Sequence, residues 1–351
     1  MFFKQKVVID NITLGKASEP YVIAEMSANH ANDINYAKKI IAAASKAGAS
    51  AVKIQTYTPD TLTLNCKSES FKAKGAWKGR YLYDLYNDAY MPWEWTAELL
   101  AEAKKENITL FSSPFDPTAV DFLEDLNMPA YKIASPEIID LPLIKYIAET
   151  KKPIILSSGG ANFLQINEAV EVIKSCGNKE LIILKCTSEY PAPLEKINLL
   201  TIKDLEKKFG CIVGISDHTI GTDVPIASIA LGASVIEKHF ILDKETITPD
   251  SFFSATPDEL KSIVSGSKNV YKALGKIDYP DAGTHQRSLI AIKDISKGDK
   301  LIGGQNFKSL RPGGGIEPKY FEKVNSMVSK KNIAFGTLLT WDLLSSSGNN
   351  N

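Results

Sequence analysis

Two of the four histidines in this chain end short apolar runs and could bind one metal ion. His218 and His239 are 21 residues apart, but neighbouring parallel strands lie about 4.8 Å apart, so strand ends can bring such residues together. Glu25 ends another apolar run and adds a carboxylate to the set. Imidazole and carboxylate ligands suit Mn²⁺ and similar ions. We therefore expect the two histidines to hold a divalent metal, with Mn²⁺ preferred and Mg²⁺ or Co²⁺ as alternatives.

A second group of candidate residues carries lysines and hydroxyl groups. Lys53 and Gln55 alternate with apolar residues, so both side chains would face the same side of a strand. A lysine buried there is costly unless it meets an anion, and Lys132 poses the same problem. We expect a pocket for a phosphate and a carboxylate, and the alternative is a lysine paired with a carboxylate such as Glu237. The hydroxyl groups available to this pocket are those of Ser113, Ser135, Ser157, Ser188 and Ser216.

Eight apolar runs, each followed by a helix-like stretch, would position these residues. Strands buried on both faces are short and almost continuously apolar, and parallel neighbours need a crossover between them. The pattern predicts a (β/α)8 barrel, whose active site lies at the C-terminal ends of the strands. The runs are 22–26, 51–56, 109–114, 130–135, 153–159, 181–188, 212–219 and 234–240.

The remaining segments predict an N-terminal hairpin and a second domain. The 351 residues exceed the length of about 250 that one barrel needs. We expect a barrel domain over 1–274, a linker over 275–286, a small β-rich domain over 287–347 and a disordered tail over 348–351. Residues 288–351 contain nine basic and five acidic residues, a net charge of +4, which leaves −4 for the rest of a neutral chain. The long connection at 57–92 would shape access to the barrel mouth.

Composition argues against several classes of protein. The 41 basic residues balance the 41 acidic residues, so no strong field would recruit nucleic acid or an anionic membrane. No apolar stretch approaches the length of a membrane span, and no signal peptide precedes the first run. The four cysteines lack paired spacing and are expected to be buried apolar groups without a role. These features predict a cytoplasmic protein.

Several motifs resemble the sialic acid synthase family of bacterial nonulosonate synthases. The C-terminal segment is similar to the antifreeze-like (SAF) domain of that family, with RPGGGI at 311–316. Within the family, the forms SANHA and QTYTPD are most similar to the pseudaminic acid synthase branch. The other motifs are IAEMSANH at 23–30, VKIQTYTPDTL at 52–62, FSSPFD at 111–116, YKIAS at 131–135, KCTSEYP at 185–191, GISDHTIG at 214–221 and IEKHF at 236–240.

This resemblance implies a reaction. Family members condense phosphoenolpyruvate with an N-acetylated amino sugar and water, and the branch implies 2,4-diacetamido-2,4,6-trideoxy-altrose as the sugar, with pseudaminic acid and phosphate as products. Precursors of N-acetylneuraminic or legionaminic acid are the alternative sugars. A metal-dependent aldolase or hydrolase and a non-catalytic carbohydrate-binding protein are more distant alternatives, and the interior lysines argue against both.

The resemblance also implies roles for individual residues. His218 and His239 would hold the metal, and Glu25 would deprotonate or orient the attacking water. Arg311 would reach the sugar of a partner subunit in a domain-swapped homodimer. The residues implied for phosphoenolpyruvate are Lys53, Ser113, Lys132, Ser135, Ser157, Ser188 and Ser216. Those implied near the sugar are Asn29, Gln55, Tyr190 and Asp250.

Overall fold

Eight parallel strands close into a barrel, which confirms the predicted fold class. In this computed structural model, which describes residues 2–279 and 285–346, the last barrel strand pairs with the first. The barrel strands are β3 (Tyr21–Glu25), β4 (Ala51–Thr56), β5 (Thr109–Pro114), β6 (Tyr131–Ile133), β7 (Ile154–Ser157), β8 (Leu181–Cys186), β9 (Ile212–Asp217) and β10 (Val235–His239), and an N-terminal hairpin precedes them with β1 (Val7–Ile9) and β2 (Ile12–Leu14).

Helices surround the barrel and supply the crossovers that parallel pairing requires. They are α1 (Ile34–Ala47), α2 (Pro59–Leu62), α3 (Leu82–Ala89), α4 (Thr96–Lys105), α5 (Pro117–Asp125), α6 (Leu141–Glu149), α7 (Phe163–Ser175), α8 (Thr201–Phe209), α9 (Asp223–Ala230), α10 (Pro257–Leu274) and, in the C-terminal region, α11 (Phe321–Val324). Asp116 caps α5, because its carboxylate accepts hydrogen bonds from two backbone N–H groups of the first turn. Helices α2 and α3 lie within the long connection after β4.

Alternation along the strands separates the apolar layer from the polar interior. On β4, Val52 and Ile54 belong to the core cluster, whereas Lys53 between them is directed to carboxylates of other strands. On β9, Gly214 permits close approach to β10, because a Cβ atom there would lie 2.2 Å from the carbonyl oxygen of Val235. The strand ends can therefore place polar groups together without interrupting the core.

The predicted N-terminal hairpin covers the N-terminal ends of the barrel strands. Its strands β1 and β2 pair antiparallel, and Val7, Ile9 and Leu14 are buried in the barrel core. The hydroxyl of Thr109, the first residue of β5, donates a hydrogen bond to the carboxylate of Asp10 in the hairpin turn (3.3 Å). The hairpin thus closes the end of the barrel opposite the strand ends that carry the candidate residues.

The chain divides into two compact units, Met1–Gly275 and Lys276–Asn351. The second unit contains two antiparallel strand pairs and a separate apolar core around Leu289 and Phe307. Its strands are β11 (Ser288–Ala291), β12 (Phe307–Leu310), β13 (Met327–Ser329) and β14 (Leu344–Ser346). The boundary between the two units falls one residue after the predicted end of the barrel domain. Part of the predicted linker and the whole predicted tail lie outside the described residues. No described helix is long and apolar enough to cross a membrane.

Candidate active site

The two histidines expected to bind metal lie side by side at the barrel mouth. His239 is the last residue of β10, and His218 is the residue after β9. Both are buried, and their ring centroids are 5.4 Å apart. Metal–nitrogen bonds are about 2.0–2.1 Å long for a comparable divalent ion, so one ion between the rings could contact both.

Oxygen atoms behind the rings favour a ligand role for both histidines. His218 Nδ1 lies 2.9 Å from the carbonyl oxygen of Thr187, which can only accept, so Nδ1 carries a proton and, in the neutral ring, Nε2 has the free lone pair. His239 Nδ1 lies 3.5 Å from a carboxylate oxygen of Asp250. A carbonyl or carboxylate behind the ring is the usual partner of a metal-binding imidazole.

Glu25 does not complete a three-residue metal set with these histidines. One carboxylate oxygen lies 2.8 Å from Lys53 Nζ, and the other accepts a hydrogen bond of 2.8 Å from Gln55 Nε2. In residues 2–279 and 285–346, no group of three or more His, Cys, Asp and Glu side chains is arranged to hold a metal ion. Glu25 therefore pairs with a lysine and an amide of the neighbouring strand, and its implied role toward the attacking water stays a prediction.

Two buried lysines flank Glu237 inside the barrel. Its Oε1 atom lies 3.7 Å from Lys53 Nζ and 3.8 Å from Lys132 Nζ, and it accepts a hydrogen bond of 3.2 Å from Ser216. Burial raises the pKa of Glu237, but the two lysines outweigh it and the pKa is lowered. The pairing of interior lysines with Glu237, the alternative considered for the sequence, is thus part of the structure.

Lys132 is less well compensated than Lys53. Burial opposes the charge of Lys53, but Glu237 and Glu25 raise its pKa. For Lys132, burial dominates and lowers the pKa, although Glu237 opposes that effect. Lys132 donates a hydrogen bond to the Ile133 carbonyl at 3.2 Å. An anion next to Lys132 would therefore compensate a charge that the protein balances incompletely.

Small polar groups surround the space beside these lysines. A Cβ atom on Gly159 would lie 2.2 Å from Ser188 Oγ, 2.7 Å from Ser135 Oγ and 2.9 Å from Cys186 Sγ. The backbone N–H of Gly159 donates to Ser135 (3.0 Å), and Ser113 accepts from Lys53 (3.3 Å). Several buried polar atoms at this mouth have no hydrogen-bond partner among the described residues, including Ser157 Oγ, Glu237 Oε2, Glu137 Oε2 and His239 Nδ1.

A cavity of about 320 Å³ adjoins His239 and is lined in part by the long connection. Trp77 from that connection donates a hydrogen bond to the Pro249 carbonyl (3.0 Å) and packs on Tyr190 with 5.3 Å between ring centroids. Tyr190 in turn packs on His218 at 4.2 Å. The floor near His239 includes Gln55 and Asp250. Side chains of the apolar wall are Tyr57, Leu82, Leu85, Tyr86 and Phe115.

Comparison with known proteins places this site in a family. The sequence profile of the NeuB family matches residues 40–279, and that of the SAF domain matches residues 286–345. The chain belongs to the NeuB family. It is 44% identical to the pseudaminic acid synthase of Helicobacter pylori, over 92% of this chain and 97% of that one. It is 37% identical to the N,N'-diacetyllegionaminic acid synthase of Campylobacter jejuni, over 89% of this chain and 96% of that one.

A solved structure agrees with this assignment. The N-acetylneuraminic acid synthetase of Leptospira borgpetersenii superposes with a TM-score of 0.72 at 29% identity, covering 81% of this chain and 95% of that one. The predicted membership of the sialic acid synthase family is therefore confirmed. As a NeuB protein, the chain is a relative of enzymes named as synthases of three different nonulosonic acids.

Asn29 of this NeuB protein is held by the protein itself. Its amide nitrogen donates to the Phe240 carbonyl (3.0 Å) and to Ser254 (2.8 Å), and its amide oxygen accepts from Thr248 (2.5 Å). The side chain is fully buried. The geometry favours a role in fixing the segment after β10 over the direct sugar contact that the family resemblance implied.

Arg311, the remaining residue implied near the sugar, lies in the second unit. It follows β12 and is exposed within that unit. Its role across a subunit boundary stays a prediction.

Two residues of the mouth were missed by the sequence analysis. Glu137 lines the cavity from the turn Pro136–Ile139, and burial raises its pKa to about 7. Cys186, expected to have no role, lies beside the serines. Burial raises its pKa, but nearby His218 outweighs burial and brings it to about 7. The sequence feature that could have identified Glu137 is its position shortly after a strand end, as Glu25 was identified by its position at one.

Glu137 should make stability depend on pH. Its pKa is about 7 in the folded protein and about 4.3 when unfolded, so the folded state holds a proton that the unfolded state has released. Stability should therefore fall as pH rises between these values. Glu137→Gln should be more stable than wild type at pH 8, by roughly 1–3 kcal/mol, and similar at pH 4.5. Urea unfolding at both pH values measures this.

The matched control is Glu189→Gln, which alters an exposed carboxylate near the same mouth. Glu189 pairs with Lys196, and its replacement should change stability by no more than about 1 kcal/mol at either pH, because exposed ion pairs contribute little. A Glu137→Gln protein with the same stability difference from wild type at pH 4.5 and pH 8 would contradict the shifted titration.

Proposed function

We propose that the protein condenses phosphoenolpyruvate with 2,4-diacetamido-2,4,6-trideoxy-altrose and water, giving pseudaminic acid and phosphate. The observation that carries this proposal is that two unlike groups of residues lie at one barrel mouth with the histidine pair. One group is the cluster of buried lysines and serines, and the other is the aromatic cavity lined by Tyr190 and His239. The 44% identity to pseudaminic acid synthases supports the choice of sugar. Legionaminic or N-acetylneuraminic acid synthesis is the alternative.

The lysine and serine side would bind phosphoenolpyruvate. Lys132 and Lys53 would act as point charges for its phosphate and carboxylate. Ser157, whose buried hydroxyl has no hydrogen-bond partner in the described chain, would donate to the same anion. Ser113, Ser135, Ser188 and Ser216 complete the set. Burying the anion here replaces water with fixed donors, which orients the nucleophilic C3 carbon toward the histidines.

His218 and His239 would hold the divalent ion, with Mn²⁺ as our proposed metal. Their geometry suits this role, because Thr187 fixes the His218 tautomer and Asp250 lies behind His239. When bound, the ion supplies Lewis acidity that polarises the sugar aldehyde. Tyr190, packed on His218, would orient the sugar in the cavity.

The bond-forming steps require proton transfers that the remaining residues can perform. C3 of phosphoenolpyruvate attacks the aldehyde carbon, positive charge develops at C2, water adds there, and the tetrahedral intermediate loses phosphate. Glu25 is engaged by Lys53 and Gln55, so it would orient the water. Glu137 has a carboxylate oxygen without a hydrogen-bond partner among the described residues and a pKa of about 7, which suits a group that takes and returns a proton.

The apolar wall of the cavity supports a deoxy sugar. Leu82, Leu85 and Phe115 offer contacts to a C6 methyl group and to acetamido methyl groups. A hydroxyl group placed against such a wall loses its hydrogen bonds to water. An apolar pocket discriminates against an added hydroxyl by at most about 100-fold. The wall would therefore favour trideoxy diacetamido sugars over the precursor of N-acetylneuraminic acid.

Phosphate release with phosphoenolpyruvate and each of the three sugar precursors, measured side by side, tests the proposed reaction. We expect the altro-configured trideoxy sugar to give the highest kcat/KM, and the N-acetylneuraminic acid precursor to be about 10–100-fold poorer. Phosphate release requiring no sugar, or none with any of the three, would contradict condensation. A preference for the legionaminic acid precursor would retain the reaction and replace the sugar.

Lys132→Met should raise the KM for phosphoenolpyruvate by at least about 10-fold, because a charged hydrogen bond to an anion contributes about 1.5–3 kcal/mol. The KM for the sugar should change far less, since Lys132 does not line the cavity. Steady-state kinetics with each substrate varied in turn gives both values. Lys152→Met, which removes a lysine paired with Glu124 outside this mouth, is the control. Equal increases in the two KM values would indicate that Lys132 has a structural role and does not bind phosphoenolpyruvate.

We also propose a domain-swapped homodimer in which Arg311 completes the partner's sugar site. The net charge of +4 on residues 288–351 against −4 on the remainder supports such docking. A mixture of inactive Arg311→Ala and His218→Ala proteins should regain activity when subunits exchange, because one heterodimer mouth then combines an intact barrel with an intact arginine.

The control pairs His218→Ala with Lys308→Ala, which changes an exposed lysine of the same small unit. The Lys308→Ala protein should be active before mixing. Subunit exchange verified by mass spectrometry, without recovery of activity from the Arg311→Ala mixture, would show that Arg311 does not act across subunits.

A further inference from the structure

A fully buried ion pair lies behind the two histidines, on the outer face of the barrel sheet. Lys238 Nζ is 2.6 Å from a carboxylate oxygen of Asp217, and the two side chains are 1% and 0% exposed. The residues are register partners on β10 and β9. Because side chains alternate along a strand, both point toward the helices while His239 and Ser216 point inward.

Each member of the pair directly precedes one histidine in the sequence. Asp217 also accepts hydrogen bonds from the backbone N–H and the hydroxyl of Thr219, at 3.1 and 3.0 Å. Lys238 donates a second hydrogen bond to the Thr219 carbonyl oxygen. Asp217 and Thr219, on either side of His218, are thus both hydrogen-bonded to Lys238. A shift of either strand end would break several buried hydrogen bonds.

Folding alone does not account for this pair. Replacing a buried ion pair with apolar side chains of similar volume is often neutral or stabilising, because desolvation offsets the attraction. The surrounding layer consists of apolar residues such as Ile215 and Ile236, which would accommodate such a replacement. An ion pair adds orientational specificity, because its hydrogen bonds form in only one arrangement of the two side chains.

We propose that Asp217 and Lys238 are positioning residues that fix the separation of His218 and His239 for metal binding. This role rests on the proposed function, which places a divalent ion between the histidines. The pair touches neither the metal nor the substrates. It would act through the backbone of the two strand ends, and its loss should weaken metal affinity while the anion pocket stays intact.

The test replaces both charges at once, with Asp217→Leu and Lys238→Met in one protein. Mn²⁺ binding is measured by calorimetry and by the electron paramagnetic resonance signal of free Mn²⁺. We expect a folded protein whose Kd for Mn²⁺ is raised about 10–100-fold, the usual effect of losing groups that orient metal ligands. Phosphoenolpyruvate binding without metal should be unchanged. Glu124→Leu with Lys152→Met, which removes a partly exposed ion pair elsewhere on the barrel, should leave both affinities unchanged.

If the double variant does not fold, Asp217→Asn with Lys238→Met decides, because an amide at position 217 can still accept hydrogen bonds from Thr219 and no buried charge is left unpaired. A folded variant with wild-type Mn²⁺ affinity overturns the positioning role and leaves the proposed function standing. Wild-type protein that binds no Mn²⁺, or that binds it equally after His218→Ala and His239→Ala, overturns the metal centre and the positioning role together.

Discussion

Charges buried inside the barrel are the constraint on which the rest of the site depends. Lys53 and Lys132 could not be placed there without Glu25 and Glu237, because an isolated ammonium in an apolar interior costs several kcal/mol. The compensation is uneven, since Lys53 contacts both carboxylates and Lys132 lies 3.8 Å from one of them. Lys132 is therefore less well compensated than Lys53, and burial lowers its pKa.

The same constraint explains why Glu25 does not join the histidines. Its register partner on β10 is His239, but its neighbour on β4 is Lys53. A carboxylate between an imidazole and an ammonium gains more from the permanent charge, and here both of its oxygens are used by β4 residues. The histidines are left with oxygen atoms behind their rings, and His239 also lines the cavity.

Much of this arrangement could be predicted from the sequence, because it follows from strand periodicity. The eight apolar runs correspond to the eight barrel strands, and alternation placed Lys53 and Gln55 inside. Glu137 was missed because β6 ends at Ile133 and the next residues form a separate turn. The partner of Lys238 was also missed. Alternation turned its side chain outward, but it could not show that Asp217 faces it across β9 and β10.

Which side chains pair depends on whether they lie close enough and on which other partners are available to them, and both depend on the three-dimensional structure. Asn29 illustrates the point, because its motif resembles that of the family while its hydrogen bonds all go to the segment after β10. A conspicuous polar residue at a strand end can therefore serve the shape of the site and never touch a ligand. Burial together with satisfied hydrogen bonds distinguishes the two cases, and neither can be read from a motif.

In this chain the strand ends and the long connection after β4 supply different parts of the site, and its relatives carry names of synthases for different sugars. The charged cluster and the histidines lie on or next to barrel strands, where a change in one residue disturbs several compensating charges. The apolar wall comes largely from the connection after β4, including Leu82, Leu85 and Tyr86. Its residues line the cavity and take no part in the charged cluster. Substitutions there can alter the shape offered to a sugar without unbalancing the interior, so specificity can vary while the charged strand ends stay the same.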